Sequence, residues 1–410
     1  MLSETSTTTV RATLPVVGAA IGDITDLFYK RLFAAHPELL RDLFNRGNQA
    51  AGTQRQALAG SIAAFATHLV EQPDTRPDAM LLRIAHKHAS LGVSPAQYQV
   101  VHEHLFAAIV EVLGEAVTPE VAQAWDEVYW LMANALIAVE ARLYEEQGCL
   151  AGGTWREWEV VGRAEETADV ASFLLRPLDG SAPRPFRGGQ YVSVQVELPD
   201  GARQIRQYSL SGAPDATVRQ IGVKRERGVD AGPAGEVSNH LHDHVGVGDR
   251  LLVSAPFGDL VLGADAPAEA QRPVLLASAG IGVTPMLSML HELNARNHRA
   301  PVVVVHADRS RAAHALRADQ STLTAKLAAG RTHYWYEEST PAQETEEAFG
   351  EERRGFADLT GIDVPEGAVA YLCGPLPFMR AMRGQLLALG VPAADIHYEV
   401  FGPDLWLGAA

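Results

Sequence analysis

His88 is a residue whose setting on a helix could make it a ligand. Met80, Ile84 and His88 stand one turn apart on one helical face, with Leu81 and Ala85 beside them, while His86 is rotated away. An imidazole on an apolar face is either a satisfied core residue or a ligand. His86 with His88, and His102 with His104, are i,i+2 pairs that diverge on a helix and chelate poorly. A second cluster, Arg206-Gln207-Tyr208-Ser209, offers a fixed cation, a flat aromatic face and a hydroxyl. Further on, Gly235-Glu236-Val237-Ser238-Asn239 sets a glycine turn before a helix start, where backbone N–H groups can meet a pyrophosphate. Of the histidines that follow, only His240 and His244 would share a helix face. His242 would point elsewhere, so a solvated face fits this run better than a zinc site. The third cluster runs from Leu275 to Pro285 as strand, glycine turn and helix start. Gly280 and Gly282 there allow close backbone approach to a dinucleotide, Thr284 can hydrogen-bond to it, and Pro285 suits the start of a helix.

The elements that must position these groups fall into three stretches. At 410 residues against a prior of roughly 150 per domain, two or three domains are expected. Val17, Ile21, Phe28 and Leu32, then Leu58, Ile62, Phe65 and Leu69, recur at about the 3.6-residue helical period. Pro37, Pro77 and Pro95 stand where helices would begin or stop, so residues 1–148 form an all-α domain. A loose joint, 149–154, follows. The pattern then changes to period two, with Tyr191, Ser193, Gln195 and Glu197 alternating with Val192, Val194, Val196 and Leu198. Turns follow at Pro199-Asp200-Gly201 and Gly212-Ala213-Pro214-Asp215, and 155–265 reads as a small antiparallel barrel. Over 266–410 strands alternate with helices. Val274–Ser278 precedes a helix at Met286–Asn294, Val302–His306 precedes one at Leu323–Ala329, and Ala370–Cys373 precedes one at Phe378–Leu389. Ile396–Val400 closes a parallel sheet, and Glu337 to Arg354 reads as an acidic surface loop.

Composition removes several classes. The chain is 47% apolar and 20% charged, which suits a globular protein. Fifty acids against 34 bases leave a net charge of −16, the wrong sign for nucleic acid or an anionic membrane. Cys149 and Cys373 cannot make a disulfide framework, a four-cysteine zinc site or a four-thiolate cluster. Met1 to Arg11 lacks the apolar stretch of a secretory signal, and Pro273 to Leu290 is too interrupted to span a bilayer. A cytoplasmic multidomain protein without membrane insertion is expected.

The helical part resembles the globin domain of bacterial flavohaemoglobins, through FYKRLF, HPELL, LFN, NQAAGTQRQAL, KHASLGVSPAQY and EARLYEE in order. The resemblance implies haem b, with His88 as proximal iron ligand, Tyr98 and Glu140 behind it, and Lys87 adjoining. It implies Tyr29 and Gln54 as distal donors, Leu58 as the steric roof and Phe44 packed on the porphyrin. RQYS and GEVSN, after Tyr191, resemble the ferredoxin-reductase FAD domain, with Arg206, Gln207, Tyr208, Ser209, Gly235, Val237 and Ser238 at the cofactor. GIGVTP (Gly280, Ile281, Gly282, Val283, Thr284, Pro285) and YLCGP (Cys373, Gly374, Pro375) resemble the same family's NAD(P)-binding domain. There Cys373 is either beside the nicotinamide or an ordinary buried thiol. Val400, Phe401, Gly402 and Pro403 resemble the terminal flavin cover, with Val400 where the family often has cysteine. No acidic residue follows Val302–His306 to mark a ribose diol, and Arg309 and Arg311 face either a 2′-phosphate or solvent, so NADH against NADPH stays open.

The resemblance covers essentially the whole chain. It implies a nitric oxide dioxygenase that uses O2 and NAD(P)H, with no obligate protein partner. Two other readings use the same cofactors: an NAD(P)H-dependent oxygen or peroxide reductase, and an oxygen-binding or sensing globin with a self-reducing module. A diffusible reductase feeding an oxygenase usually brings an iron–sulfur module, which two cysteines cannot hold.

Overall fold

A computed structural model describes residues 2–228, 233–263, 271–338 and 351–402. Seven α-helices come first among the described residues: α1 (Glu4–Ala35), α2 (Pro37–Asp42), α3 (Arg46–Ala50), α4 (Thr53–Glu71), α5 (Asp78–Leu91), α6 (Pro95–Leu113) and α7 (Pro119–Glu146). Their ends carry the expected local chemistry. The Ser3 hydroxyl accepts from Ser6 N at 3.2 Å, Ser94 and Gln97 form a capping box, and Pro37, Pro95 and Pro119 occupy first-turn positions. Gly92 ends α5 at φ +78°, a left-handed cap that glycine adopts at little cost. Val10, Val17, Ile24, Phe28 and Leu32 line one face of α1, and that face packs on α4, α6 and α7. Leu58, Ile62 and Leu69 on α4 are only half-buried, and Phe65 is the buried member of that run.

Two β-sheets follow. The first is built from β1 (Trp155–Glu165), β2 (Val170–Pro177), β3 (Tyr191–Glu197), β4 (Arg203–Ser209), β5 (Arg219–Lys224) and, after α8 (Glu236–His244), β6 (Arg250–Ser254). Its order is β4-β3-β6-β1-β2-β5, and β2 runs antiparallel to both β1 and β5. A bridge between Leu210 and Ile221 joins the chain just past β4 to β5, so the sheet curls toward a barrel instead of lying flat. The second sheet contains β7 (Val274–Ala279), β8 (Val302–Asp308), β9 (Gly330–Tyr336), β10 (Glu351–Arg354), β11 (Val369–Cys373) and β12 (Ile396–Glu399). Helices α9 (Val283–Ala295), α10 (Arg317–Ala325) and α11 (Leu376–Ala388) lie between them in sequence. Its order is β10-β9-β8-β7-β11-β12 and every neighbouring pair is parallel. β7 and β11 are buried at every position, as central parallel strands require.

Two expectations are corrected. The helix placed at 323–329 is α10, Arg317–Ala325, and the chain then enters β9, which the sequence pattern left unassigned. Thr332, Tyr334, Trp335 and Tyr336 are β-branched or aromatic, and their pairing with β8 decides the conformation. The acidic loop at 337–354 ends in a strand, β10, whose charged side chains suit an exposed edge; residues 339–350 of that loop lie outside the described residues. The described chain divides into two compact units. Of the described residues, one holds 2–155 with Gln195–Arg206 and Gly402, and the other holds those of Arg156–Val194 and of Gln207–Phe401.

The second unit buries a pair of imidazoles. His306 and His314 stack with ring centroids 3.8 Å apart and planes 18° from parallel. Nδ1 of His306 lies 2.8 Å from Ser278 Oγ, and Nδ1 of His314 lies 2.9 Å from the Tyr336 hydroxyl. Burial pushes both pKa values below 6.5, and for His314 the charges of His306 and Arg317 add to that effect. An unfolded chain takes up protons that this pair refuses. The stability gained is complete above 6.5 and is lost as pH falls below it, at up to about 1.4 kcal/mol per pH unit per histidine. The denaturant midpoint of this unit is expected to drop between about pH 7.5 and pH 5.5, and His314→Gln should flatten that slope. Equal slopes for the two proteins would contradict a neutral buried His314.

Candidate functional site

The last turn of α5 presents His88. Its Nδ1 lies 2.9 Å from the Tyr98 hydroxyl and 2.9 Å from Glu140 Oε1, and that hydroxyl donates to the same Oε1 at 2.5 Å. Helix α6 supplies Tyr98 and α7 supplies Glu140, and both side chains are buried. Two further tyrosines brace the neighbouring backbone: Tyr129 donates to Tyr98 O at 2.6 Å and Tyr144 to Val93 O at 2.8 Å. The arrangement fixes the imidazole tautomer. The Tyr98 proton is committed to Glu140, and an ionised carboxylate only accepts, so Nδ1 must carry the ring proton. In the neutral ring Nε2 then holds a lone pair, and among the described residues no hydrogen bond to it is seen. Burial, with the Glu140 charge beside it, pushes the Tyr98 pKa up, which keeps its hydroxyl proton in place. The His88 side chain stays 32% exposed. His86, expected to point away from the apolar face, is the more buried of the two. Lys87 is half-buried between them.

Tyr29 on α1 is buried, and burial pushes its hydroxyl pKa up. The amides of Gln54 and Gln49 act on that hydroxyl in the opposite sense. Gln49 was not among the sequence candidates. Its buried Nε2 meets no hydrogen-bond partner among the described residues. The Phe44 ring stands edge-on to Tyr29 at 5.8 Å and to Phe33 at 5.3 Å, and Leu58 follows Gln54 by one turn on α4. A donor nitrogen backed by a carboxylate, in a helical unit that also buries this phenol beside two half-buried glutamines, fits a haem site chemically.

Strand β4 carries Arg206, Gln207, Tyr208 and Ser209. Gln207 Nε2 donates to Ser193 Oγ at 3.0 Å, and Ser209 is buried. Tyr191 exchanges backbone hydrogen bonds with Phe257 at 2.7 and 2.9 Å, and Gly258, at φ +127°, lies under its ring. Gly235 caps the start of α8, and a Cβ there would stand 2.7 Å from Ser238 Oγ. That hydroxyl donates to Gly235 O at 3.2 Å and accepts from Glu226 N at 3.1 Å. Ser238 therefore holds the turn, and the first-turn N–H groups of α8, next to buried Val237, remain the part suited to an anion. The solvated histidine face is corrected in part: His242 is buried with Nε2 2.9 Å from Val223 O. No cluster of three or more potential metal ligands occurs among the described residues.

After β7 the chain turns through Gly280, Ile281 and Gly282 into α9. The two glycines differ. Gly280 is left-handed at φ +52° with open space where a Cβ would be, whereas a Cβ on Gly282 would lie 2.3 Å from Cys373 O. A side chain would find room at Gly280, whereas the backbone after β11 leaves none at Gly282. The Thr284 hydroxyl donates to Ile281 O at 2.9 Å, and Val283 and Pro285 are buried beneath the turn. Cys373 is fully buried, and burial pushes its thiol pKa well up. Gly374 and Pro375 lead into α11, Val400 is half-buried, Phe401 is exposed, Gly402 sits at φ +128°, and Pro403 lies outside the described residues. The missing acidic residue is also corrected. β8 runs on to Asp308, whose carboxylate lies 3.7 Å from His306 Nε2. Arg309 pairs with Asp169 and Arg311 with Glu352, both at 3.3 Å.

A globin family model matches residues 26–136, and an oxidoreductase NAD-binding domain model matches residues 276–384. A flavohemoprotein of Rhizobium meliloti is 41% identical over 99% of this chain and 100% of its own, and one of Chromobacterium violaceum is 43% identical over 98% of each. The chain belongs to the flavohemoprotein family. Among solved structures, a flavohemoglobin from Malassezia yamatoensis with bound FAD and heme is 36% identical, covers 98% of this chain and 100% of its own, and has a TM-score of 0.86. The FAD/NAD-binding domain of a nitric oxide dioxygenase from Vibrio cholerae is 37% identical over 61% of this flavohemoprotein and 100% of its own chain, with a TM-score of 0.54. The all-α domain, antiparallel barrel and parallel sheet expected from the sequence are the family's architecture, the antiparallel sheet curling into a half-barrel. Among the described residues, no helix is long and apolar enough to cross a membrane.

Proposed function

We propose that this chain is a nitric oxide dioxygenase, turning nitric oxide into nitrate with O2 and electrons from NADH or NADPH. Family membership supplies the coarser statement: the chain is an NAD(P)H- and FAD-dependent haem oxidoreductase. When bound, FAD and haem supply the route by which a hydride pair becomes the single electrons that iron takes, and the iron that binds O2. The observation that carries the finer reading is the contact of Nδ1 of His88 with Glu140 and Tyr98. A carboxylate on the far nitrogen of a ligand histidine raises its basicity and sends electron density toward the metal, which favours oxygen chemistry over reversible storage.

In this reading His88 Nε2 holds the iron, Glu140 and Tyr98 hold the ring proton and orientation, and Lys87 adjoins them. Phe44 and Leu58 would pack against the haem. Tyr29 and Gln54 would offer hydrogen bonds to a ligand bound there, stabilising negative charge on it. The raised pKa of Tyr29 keeps that donor protonated at neutral pH. Arg206, Gln207, Tyr208, Ser209, Tyr191, Gly235, Val237 and Ser238 hold FAD. The 280–285 turn with 373–375 and 400–403 receives the nicotinamide nucleotide. The corresponding domains are 1–148, 155–265 and 266–410, joined by 149–154, and the expected location is the cytoplasm.

Reducing the holoenzyme with NADH without air, then mixing it with O2 and nitric oxide, tests the reading. Two nitric oxide molecules consumed per NADH, with two nitrates formed, supports it; oxygen uptake indifferent to nitric oxide makes the chain an oxygen reductase instead. Glu140→Gln keeps both donors satisfied but removes the charge. Turnover is expected to fall about tenfold and the ferric/ferrous midpoint potential to rise. An unchanged potential would show that the carboxylate does not tune the iron.

A further inference from the structure

We propose that Gln204 is a positioning residue that fixes the strand carrying Arg206 to the corner carrying Phe44, and so governs how fast electrons pass from flavin to haem. The inference rests on the haem and flavin assignments above. Every contact it uses lies within the unit that joins Met1–Trp155 to Gln195–Arg206.

Gln204 lies in β4 and is 0% exposed. Its Nε2 donates to the carbonyls of Leu40 at 3.4 Å, Arg41 at 3.0 Å and Phe44 at 3.2 Å. Its Oε1 accepts from Arg46 N at 3.3 Å and from Arg206 Nη1 at 3.4 Å. The Leu40 and Arg41 carbonyls belong to the last turn of α2, and Arg46 N opens α3. Both are helix-end groups with no partner inside their own helix. One amide thus caps the end of one helix and the start of the next, on either side of Phe44. Gln204 and Arg206 share a strand face at i,i+2, so the same oxygen also reaches the guanidinium proposed to meet FAD.

Two outer contacts tie the same segments. Arg203 N donates to Asp42 Oδ1 at 3.1 Å, and Arg46 pairs with Asp200 at 2.6 Å. These are exposed and individually weak, whereas the buried amide cannot be removed without leaving several polar groups unsatisfied. The chemistry is one of placement, because Gln204 itself needs to touch neither cofactor. Electron transfer demands a fixed distance and orientation, and a corner free to shift loses both.

The test uses the holoprotein without nitric oxide, following flavin bleaching and haem reduction separately after anaerobic mixing with NADH. For Gln204→Leu the flavin step is expected to keep its rate, while haem reduction slows about tenfold. Hydrogen exchange at the amides of residues 44–46 should speed up in parallel, which reads the corner directly and not activity. A variant with a lower melting temperature but an unchanged haem step makes Gln204 only a helix cap and overturns the proposal. If Gln204→Leu does not fold, Asp200→Asn loosens the same segment from the surface. It should slow the haem step about twofold and make it less sensitive to salt; no change there also overturns the proposal. Failure of NADH to reduce the haem of the unaltered protein would instead overturn the flavin and haem reading itself.

Discussion

His88→Ala protein is expected to purify yellow but without stoichiometric Soret absorbance, and its nitric-oxide-dependent NADH oxidation should fall by about 100-fold or more. That magnitude follows because removing even an outer partner of a metal-bound histidine costs 10–100-fold, and the ligand itself should sit at or beyond the upper end. Alanine leaves the Tyr98–Glu140 hydrogen bond in place, so the pocket keeps its polar wall while losing its only candidate iron ligand on that helix face. The flavin should still bleach with NADH at its usual rate, because the residues proposed for that step lie elsewhere in the chain. Added imidazole offers a second check, since a free ligand occupying the space of the lost ring should restore part of the Soret band. Full haem retention in the variant, with an unshifted spectrum, would show that another residue holds the iron.

How much of this was legible in the sequence differs from one residue to the next. His88, Tyr98 and Glu140 could be picked from ordered motifs, but their contact could not, because it joins positions 10 and 52 residues apart through the packing of three helices. The tautomer, and with it the free nitrogen, exists only in that contact. Gln204 escaped because one more polar residue in a strand as polar as Arg203–Ser209 reads as solvent-facing, and its partners are largely backbone groups of two short helices that carry no side-chain signature. Gln49 escaped for a related reason, since a five-residue helix has too little periodicity to show which face is covered. Strand β9 was missed because Gly330, Arg331 and His333 break any apolar run, and only Tyr334, Trp335 and Tyr336 are buried. Asp308 was missed because strand ends are the least certain part of any such reading. The Gly280–Pro285 motif was plain, but its division of labour was not, since Gly280 and Gly282 differ only in what lies beyond the backbone.

That difference gives the second large effect. Gly282→Val should reduce hydride delivery to the flavin about 100-fold and destabilise the second unit by about 3 kcal/mol or more, leaving haem content intact. A Cβ at this position would lie 2.3 Å from the Cys373 carbonyl oxygen, 2.6 Å from its carbon and 2.9 Å from Gly374 N. All three atoms are backbone, and Cys373 is fully buried in β11 between β7 and β12, so no flexible side chain can give way. The loops after β7 and β11 must then separate, and these are the two loops proposed to enclose the nicotinamide. Gly280→Ala is the matching control: its φ of +52° makes alanine strained by about 1 kcal/mol, but nothing stands within 4 Å of the new carbon. Anaerobic mixing with NADH reads flavin bleaching in each variant, and dithionite shows that haem and flavin remain reducible. Rapid bleaching in Gly282→Val would mean that the nucleotide does not depend on these loops meeting, and the assignment of the 280–285 turn would fall with it.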